Sequence, residues 1–153
     1  MASTKKNLKP HFDDVQAHYD LSDEFFRLFL DPSQMYSCAY FERDDMTLEE
    51  AQIAKIDLSL GKLGLQPGMT LLDIGCGWGG FMEYAARNGF KVTGITISKE
   101  QYEYTKKRLS KYGSLAEVNL LDYRDIVGKY NHIVSIEMFE ALGFQYWKKY
   151  FNV

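Results

Sequence analysis

The sequence predicts an α/β fold: a parallel sheet built from strand–helix repeats, preceded by a helical N-terminal cap. Three observations carry this. From residue 69 onward, short apolar runs alternate with helical patterns. The first run ends in Leu-Leu-Asp-Ile-Gly-Cys-Gly-Trp-Gly-Gly at residues 71–80, which reads as strand, turn and helix start. Before residue 67 the patterns are helical or irregular, without strands. Such alternation implies parallel strands joined by right-handed crossovers, with a ligand at the carboxyl ends of the strands. The chain therefore divides into a cap, residues 1–66, and the first part of a sheet domain, residues 67–153.

Taken in order, residues 1–10 are expected to be flexible, ending at Pro10. A first helix is expected over 12–19, with Phe12, Val15 and Tyr19 on one side. Ser22 is a good N-cap for a second helix, 23–30, carrying Phe25, Phe26, Leu28, Phe29 and Leu30. That helix reads as core first, with a lipid-facing surface as the alternative. Asp31-Pro32-Ser33 stops it. Residues 35–42 form an irregular aromatic stretch. Thr47 and Glu50 make a capping box that opens a helix running to Leu63, closed by Gly64. Strands follow at 69–74, 91–95, 116–121 and 131–136. Helices are expected at 79–88, 99–112 and 144–152. Only four strands can be counted, fewer than a doubly wound sheet normally has. The expectation is a minimal domain or a truncated piece of a larger one.

The glycine turn carries the chemistry. Gly75, Gly77 and Gly79 let the backbone turn sharply and approach a ligand with no Cβ in the way. Asp73 can accept hydrogen bonds from the turn amides or from a cationic ligand. The spacing Asp-x-Gly-x-Gly-x-Gly is neither that of dinucleotide enzymes nor that of phosphate loops, and the turn has no Lys or Arg to meet a phosphate. A phosphate-free, positively charged nucleoside fits it, and S-adenosylmethionine is the common one. The bland alternative is a tight turn that binds nothing.

A net charge of −3 argues against a nucleic-acid binder that works by neutralising phosphates. Lysines crowd residues 5–9 and 106–111, which reads as solvated faces or as contact with anionic lipid or an acidic carrier. Cys38 and Cys76 have no partner at metal-ligand spacing, and His11, His18 and His132 form no metal motif, so neither a metal nor a disulfide is expected. There is no membrane-span run and no secretory leader pattern, so a cytoplasmic protein is expected.

Four stretches together resemble the cyclopropane fatty acid synthase family, which includes the mycolic acid cyclopropane synthases and related mycolic acid methyltransferases. They are Leu-Lys-Pro-His-Phe at 8–12, Val-Gln-Ala-His-Tyr-Asp-Leu-Ser-Asp at 15–23, Tyr-Ser-Cys-Ala-Tyr-Phe at 36–41, and the glycine turn with the strand before it. Later stretches, Val-Thr-Gly-Ile-Thr-Ile-Ser at 92–98 and Ser-Ile-Glu-Met-Phe-Glu-Ala-Leu-Gly at 135–143, look like the general bacterial members. The likeness covers nearly the whole chain but about the first half of the family's usual length.

The resemblance implies a Rossmann-like S-adenosylmethionine methyltransferase sheet with a helical cap. It implies transfer of a methylene from S-adenosylmethionine to a cis double bond in a lipid acyl chain, with bicarbonate as the base. The partners implied are an unsaturated acyl lipid or an acyl chain on acyl carrier protein, with peripheral contact at a membrane. By the same resemblance, Cys38 holds bicarbonate through its backbone amide and Glu140 holds it through its carboxylate, with Glu137 competing for that role. Tyr36 and Ser37 match cofactor contacts, and Thr96 and Gln101 match the ribose and methionine region. Ser98 to Gln101 also reads as a capping box. Asp122 and Tyr123 fall where the edge and face of adenine are held. Cys76 and Trp78 read as packing around the turn, and His132 as lying at the wrong end of its strand. Two other functions compete: a small-molecule methyltransferase on the same sheet, and a catalytically silent fragment that binds S-adenosylmethionine.

Overall fold

A computed structural model describes residues 22–153. The helix expected at 12–19, together with His11 and His18, lies outside the described residues. Ser22 caps α1 (Asp23–Arg27), its hydroxyl accepting from the Phe25 amide at 3.3 Å. The helix is shorter than the apolar run suggested. It buries Phe26 but leaves Leu28 82% exposed, so one ring joins the core and the rest of the run does not. The Asp31 carboxylate then accepts from the amide and hydroxyl of Ser33, both at 2.9 Å, and turns the chain at Pro32.

Residues 35–42 have no regular structure, as their sequence suggested, and the chain stays irregular to residue 46. Their backbone is held from α2 (Leu48–Leu63) instead. The Gln52 side-chain amide donates to the Met35 and Ser37 carbonyls at 3.2 and 2.9 Å. Thr47 and Glu50 form the capping box, and Gly64 ends the helix in the left-handed conformation.

The sheet among the described residues has four strands: β1 (Thr70–Ile74), β2 (Lys91–Thr96), β3 (Ala116–Leu120) and β4 (His132–Val134). They run parallel in the order β3-β2-β1-β4, which places β1 in the interior of the sheet. Between them run α3 (Gly80–Arg87) and α4 (Lys99–Leu109). Alternate residues of a strand face opposite ways. Leu71 joins Phe81, Met82, Val92 and Leu109 on the face covered by α3 and α4, while Leu72, Ile74 and Ile95 pack on the other face with Leu121 and Met138.

The last strand and the last helix are also shorter than the sequence suggested. The fourth strand stops at Val134, and Glu137 adopts a left-handed φ of 52° that turns the chain across the strand ends. The expected helix at 144–152 is a 3₁₀ turn at Phe144–Tyr146 followed by one turn of α5 (Trp147–Tyr150). Its rings stack on one another, with Phe139 against Trp147 and Phe151 at centroid distances of 4.9 and 5.2 Å.

Candidate functional site

The turn after β1 is fixed from two sides. Its Gly75 and Cys76 amides both donate to the Ile95 carbonyl at 3.0 Å, which ties it to β2. Thr105, fully buried on α4, donates its hydroxyl to the Gly77 carbonyl at 3.0 Å. Gly77 and Gly79 both have positive φ, yet they do different things. A Cβ on Gly79 would lie 2.6 Å from the Thr105 methyl, so this glycine serves packing. A Cβ on Gly77 would meet nothing within 4 Å, because it would point into open space.

That open space is a cleft of about 200 Å³ over the carboxyl ends of the strands, where an α/β sheet of this kind takes its ligand. Its apolar wall comes from Ile74, Ile95, Leu121, Ile136, Met138 and Leu142. Of the residues singled out from sequence, Tyr36, Gly75, Gly77, Thr96, Gln101, Asp122 and Tyr123 line it. Trp78, expected only to pack, does both. It is buried, its ring lies 4.5 Å from that of Phe26, and it borders the cleft.

Asp73 lies just below the turn and is not part of the lining. It is buried at 3% exposure, and burial pushes its carboxyl up to about 7. Thr96 and Gln101 form a buried pair, the threonine hydroxyl donating to Gln101 Oε1 at 2.8 Å. Ser98 caps α4 by accepting from the Gln101 amide at 3.3 Å. Since the Gln101 side chain is turned to Thr96, only the Ser98 half of the expected capping box forms.

Asp122 is engaged by a residue not singled out from sequence. Its Oδ1 accepts from Arg124 N and Nε at 2.9 and 2.7 Å, and its Oδ2 from Arg124 Nη2 at 2.5 Å. Burial would raise this carboxyl, but the Arg124 hydrogen bonds outweigh it and hold it below the ordinary carboxylate range. Asp-x-Arg spacing was the available signal. Tyr123 lies next to it with its ring 5.3 Å from Tyr150.

Ser37, Cys38, Gly79 and Glu140 do not line the cleft. The Ser37 hydroxyl accepts from Lys55, which reaches it from α2. Cys38 is exposed, and its amide donates to Glu137 Oε1 at 2.7 Å. Glu140 sits exposed on the 3₁₀ turn Phe139–Leu142. The structure thus brings Glu137 to Cys38 and leaves Glu140 apart. Among the described residues no group of His, Cys, Asp and Glu is arranged to hold a metal ion, and no helix is long and apolar enough to cross a membrane.

The comparisons with known proteins agree with one another. Cyclopropane mycolic acid synthase 1 of Mycobacterium tuberculosis is 56% identical over 149 residues, 95% of this chain and 52% of the relative. Cyclopropane mycolic acid synthase MmaA2 of the same species is 59% identical over 140 residues, 90% of this chain and 49% of the relative. The crystal structure of mycolic acid cyclopropane synthase CmaA1 complexed with SAH and CTAB superposes with a TM-score of 0.88 at 56% identity. It covers 94% of this chain and 52% of that one. The chain thus spans about half the length of the relatives it matches, and within that half the fold is the Rossmann-like sheet of the S-adenosylmethionine methyltransferases. The sequence model described as mycolic acid cyclopropane synthetase matches residues 6–153, and the chain belongs to that family.

Proposed function

We propose that this chain binds S-adenosylmethionine in the cleft above β1 and carries part of an enzyme that transfers a methylene to the cis double bond of a lipid acyl chain. In this reading residues 1–66 are the cap and residues 67–153 the first part of the methyltransferase domain. One observation carries the cofactor: a buried, protonatable Asp73 lies beneath a turn whose Gly77 opens onto an otherwise apolar cleft.

The residues present fit the group. The ammonium of its methionine part is a cation that the Asp73 carboxylate would attract. The Thr96–Gln101 pair offers polar atoms at the end of β2 for ribose hydroxyls. Tyr123 and the apolar wall give a face for a flat purine. Asp122, held ionised by Arg124, offers an acceptor at the purine's edge. When bound, the cofactor supplies an electrophilic methyl on a positively charged sulfur. The rings of Tyr36, Trp78 and Tyr146 and the side chain of Leu142 line the cleft and would exclude water from the bound group.

The lipid reading is supported by the family, by the named activity of its relatives and by the apolar wall. The acyl-carrier and membrane-contact expectations belong to this reading too, through the exposed rings of Phe25, Phe29, Tyr40 and Phe41, of which Phe29 lies 6.1 Å from the Tyr36 ring that borders the cleft. The bicarbonate implied by the resemblance does not fit. Its place on the Cys38 amide is taken by the Glu137 carboxylate, and a second anion there would meet a like charge.

Titration of S-adenosylhomocysteine into the chain by calorimetry tests the cofactor half. Binding is expected, and Gly77→Val, which also strains the left-handed backbone at this glycine, should remove it in protein that circular dichroism shows to be folded. A folded chain with no heat of binding would overturn the assignment. Transfer of label from S-[methyl-14C]adenosylmethionine into cis-unsaturated lipid, read in the lipid extract, tests the second half.

A further inference from the structure

Cys38, Lys55 and Glu137 form a cluster that the cofactor reading leaves unused. They come from three separate parts of the chain. The Cys38 amide donates to Glu137 Oε1 at 2.7 Å across 99 positions of sequence. Glu137 makes this contact from a left-handed backbone, φ 52°, which a residue with a Cβ holds only at a cost. Conformations of this kind cluster where function requires them. The residue also lines the cleft. Lys55 lies behind Ser37 on α2. Burial lowers its ammonium, and the charge of Glu137 is foremost among those that oppose this. A backbone N–H with an ammonium behind it is a seat for an anion. Here the chain's own carboxylate sits in it.

We propose that Glu137 is the built-in anion of this cleft: its carboxylate takes the Cys38 seat in place of bicarbonate, and it is the group that accepts the proton in the lipid reaction. The second clause rests on the methylene-transfer reading; the first does not. In that reaction the alkene π pair forms a C–C bond to the sulfonium methyl, and the S–C pair stays on sulfur, leaving a neutral thioether. The positive charge moves to the other alkene carbon. Glu137 removes a proton from the transferred methyl, and the freed C–H pair closes the three-membered ring on the cationic carbon. Oε1 is held by the Cys38 amide, which leaves Oε2 to take the proton. The carboxyl then returns that proton to water. An amide that fixes the carboxylate supplies the positioning that general-base catalysis needs.

The test uses the whole chain, 15N-labelled and saturated with S-adenosylhomocysteine, titrated with 13C-bicarbonate. In the wild type the Cys38 amide signal should stay in place and the bicarbonate line should not broaden. Glu137→Gln keeps the shape without the charge. Glu137→Gly suits the left-handed backbone and should fold no worse than the wild type. Both variants should take up bicarbonate, with the Cys38 amide shifting as it is added. Bicarbonate at Cys38 in the wild type, or no uptake by either folded variant, overturns the seat.

The proton-accepting role is read as label transfer from S-adenosylmethionine into dioleoylphosphatidylglycerol vesicles in carbon-dioxide-free buffer. Wild-type transfer should not depend on bicarbonate. Glu137→Gln should lose roughly 10²–10⁴-fold, the range for a positioned base, and Glu137→Gly should recover activity when bicarbonate is added. Undiminished transfer by Glu137→Gln overturns the role. No transfer by the wild type sinks the lipid reading and the role with it, while the bicarbonate titration still decides the seat.

Discussion

Asp73 has its carboxyl raised from an ordinary 3.8 to about 7, with burial as the cause. The sign of the consequence is opposite to that of a paired carboxylate. Between these two values the native chain holds the proton and the unfolded chain has released it, so stability falls as pH rises through the window. From pH 5 to pH 8 the loss should be roughly 2–3 kcal/mol, at about 1.36 kcal/mol per pH unit up to the native pKa. Glu83 and Asp122 pull the other way, since their carboxyls are lowered by Arg108, Lys111 and Arg124 against the effect of burial. Their contribution is lost only as pH falls below the ordinary carboxylate range, outside this window. Urea unfolding at pH 5, 6.5 and 8 should therefore show the decline in the wild type and a flat profile in Asp73→Asn; equal slopes would mean that Asp73 titrates normally. Local spacing made this residue and the glycines after it legible. It could not reveal which glutamate meets Cys38, because that contact joins positions far apart and depends on the backbone angle at Glu137. Nor could it tell that the Gln101 side chain leaves its cap for Thr96.

Helix α4 carries the basic run that the sequence suggested was a solvated face or an anionic contact, and one member of the run turns inward. Arg108 Nε pairs with Glu83 Oε2 on α3 at 2.6 Å. Its Nη1 donates to the Ser33 carbonyl at 2.8 Å and to the Trp78 carbonyl at 3.3 Å. One guanidinium thus joins two helices, the glycine turn and the stretch that leads to Tyr36. Both side chains of the ion pair are less than 15% exposed (14% and 13%), so solvent screens little of it. Arg108→Met should cost about 2–4 kcal/mol, because it leaves a largely buried carboxylate and the Pro32, Ser33 and Trp78 carbonyls short of a donor. Arg108→Lys should recover less than half of that, since an ammonium cannot span the same forked set. Lys111 also reaches Glu83, at 2.7 Å, but it is exposed, and Lys111→Met should change little. Urea midpoints for the three variants check the order; a larger loss for Lys111→Met than for Arg108→Met would refute it. The capping box of α2 and the Gly64 stop were readable because caps are local chemistry. The short β4 was not. It is an edge strand paired only with β1 among the described residues, and its pairing ends at Val134, ahead of the turn at Glu137.

At the scale of the molecule, the alternation of strands and helices was enough to expect the parallel sheet, and with it the end at which a ligand sits. It did not show how the cleft is enclosed. Besides the ends of β2 and β3, three stretches far apart in sequence wall it: Tyr36 in front of β1, the turn from Ile74 to Trp78, and the segment from Ile136 to Leu142. The first and third touch directly through Cys38 and Glu137, and Arg108 ties the chain just before the first to the second. A ligand that fills the cleft should therefore stabilise all three together. At a free concentration 100 times its dissociation constant, the closed form gains about 2.7 kcal/mol, which slows exchange of amides that open with it by roughly 100-fold. Hydrogen exchange with and without S-adenosylhomocysteine should show concerted slowing at Cys38, Gly77 and Met138. The 3₁₀ segment Ser110–Leu115 lies away from the cleft and should be unchanged. Gly77→Val should abolish the whole effect, since the added side chain points into the space the ligand needs. Slowing confined to residues 75–79 would mean that the ligand is held by the turn alone. The contacts linking Cys38, Glu137 and Arg108 would then be packing, with no part in closing the site.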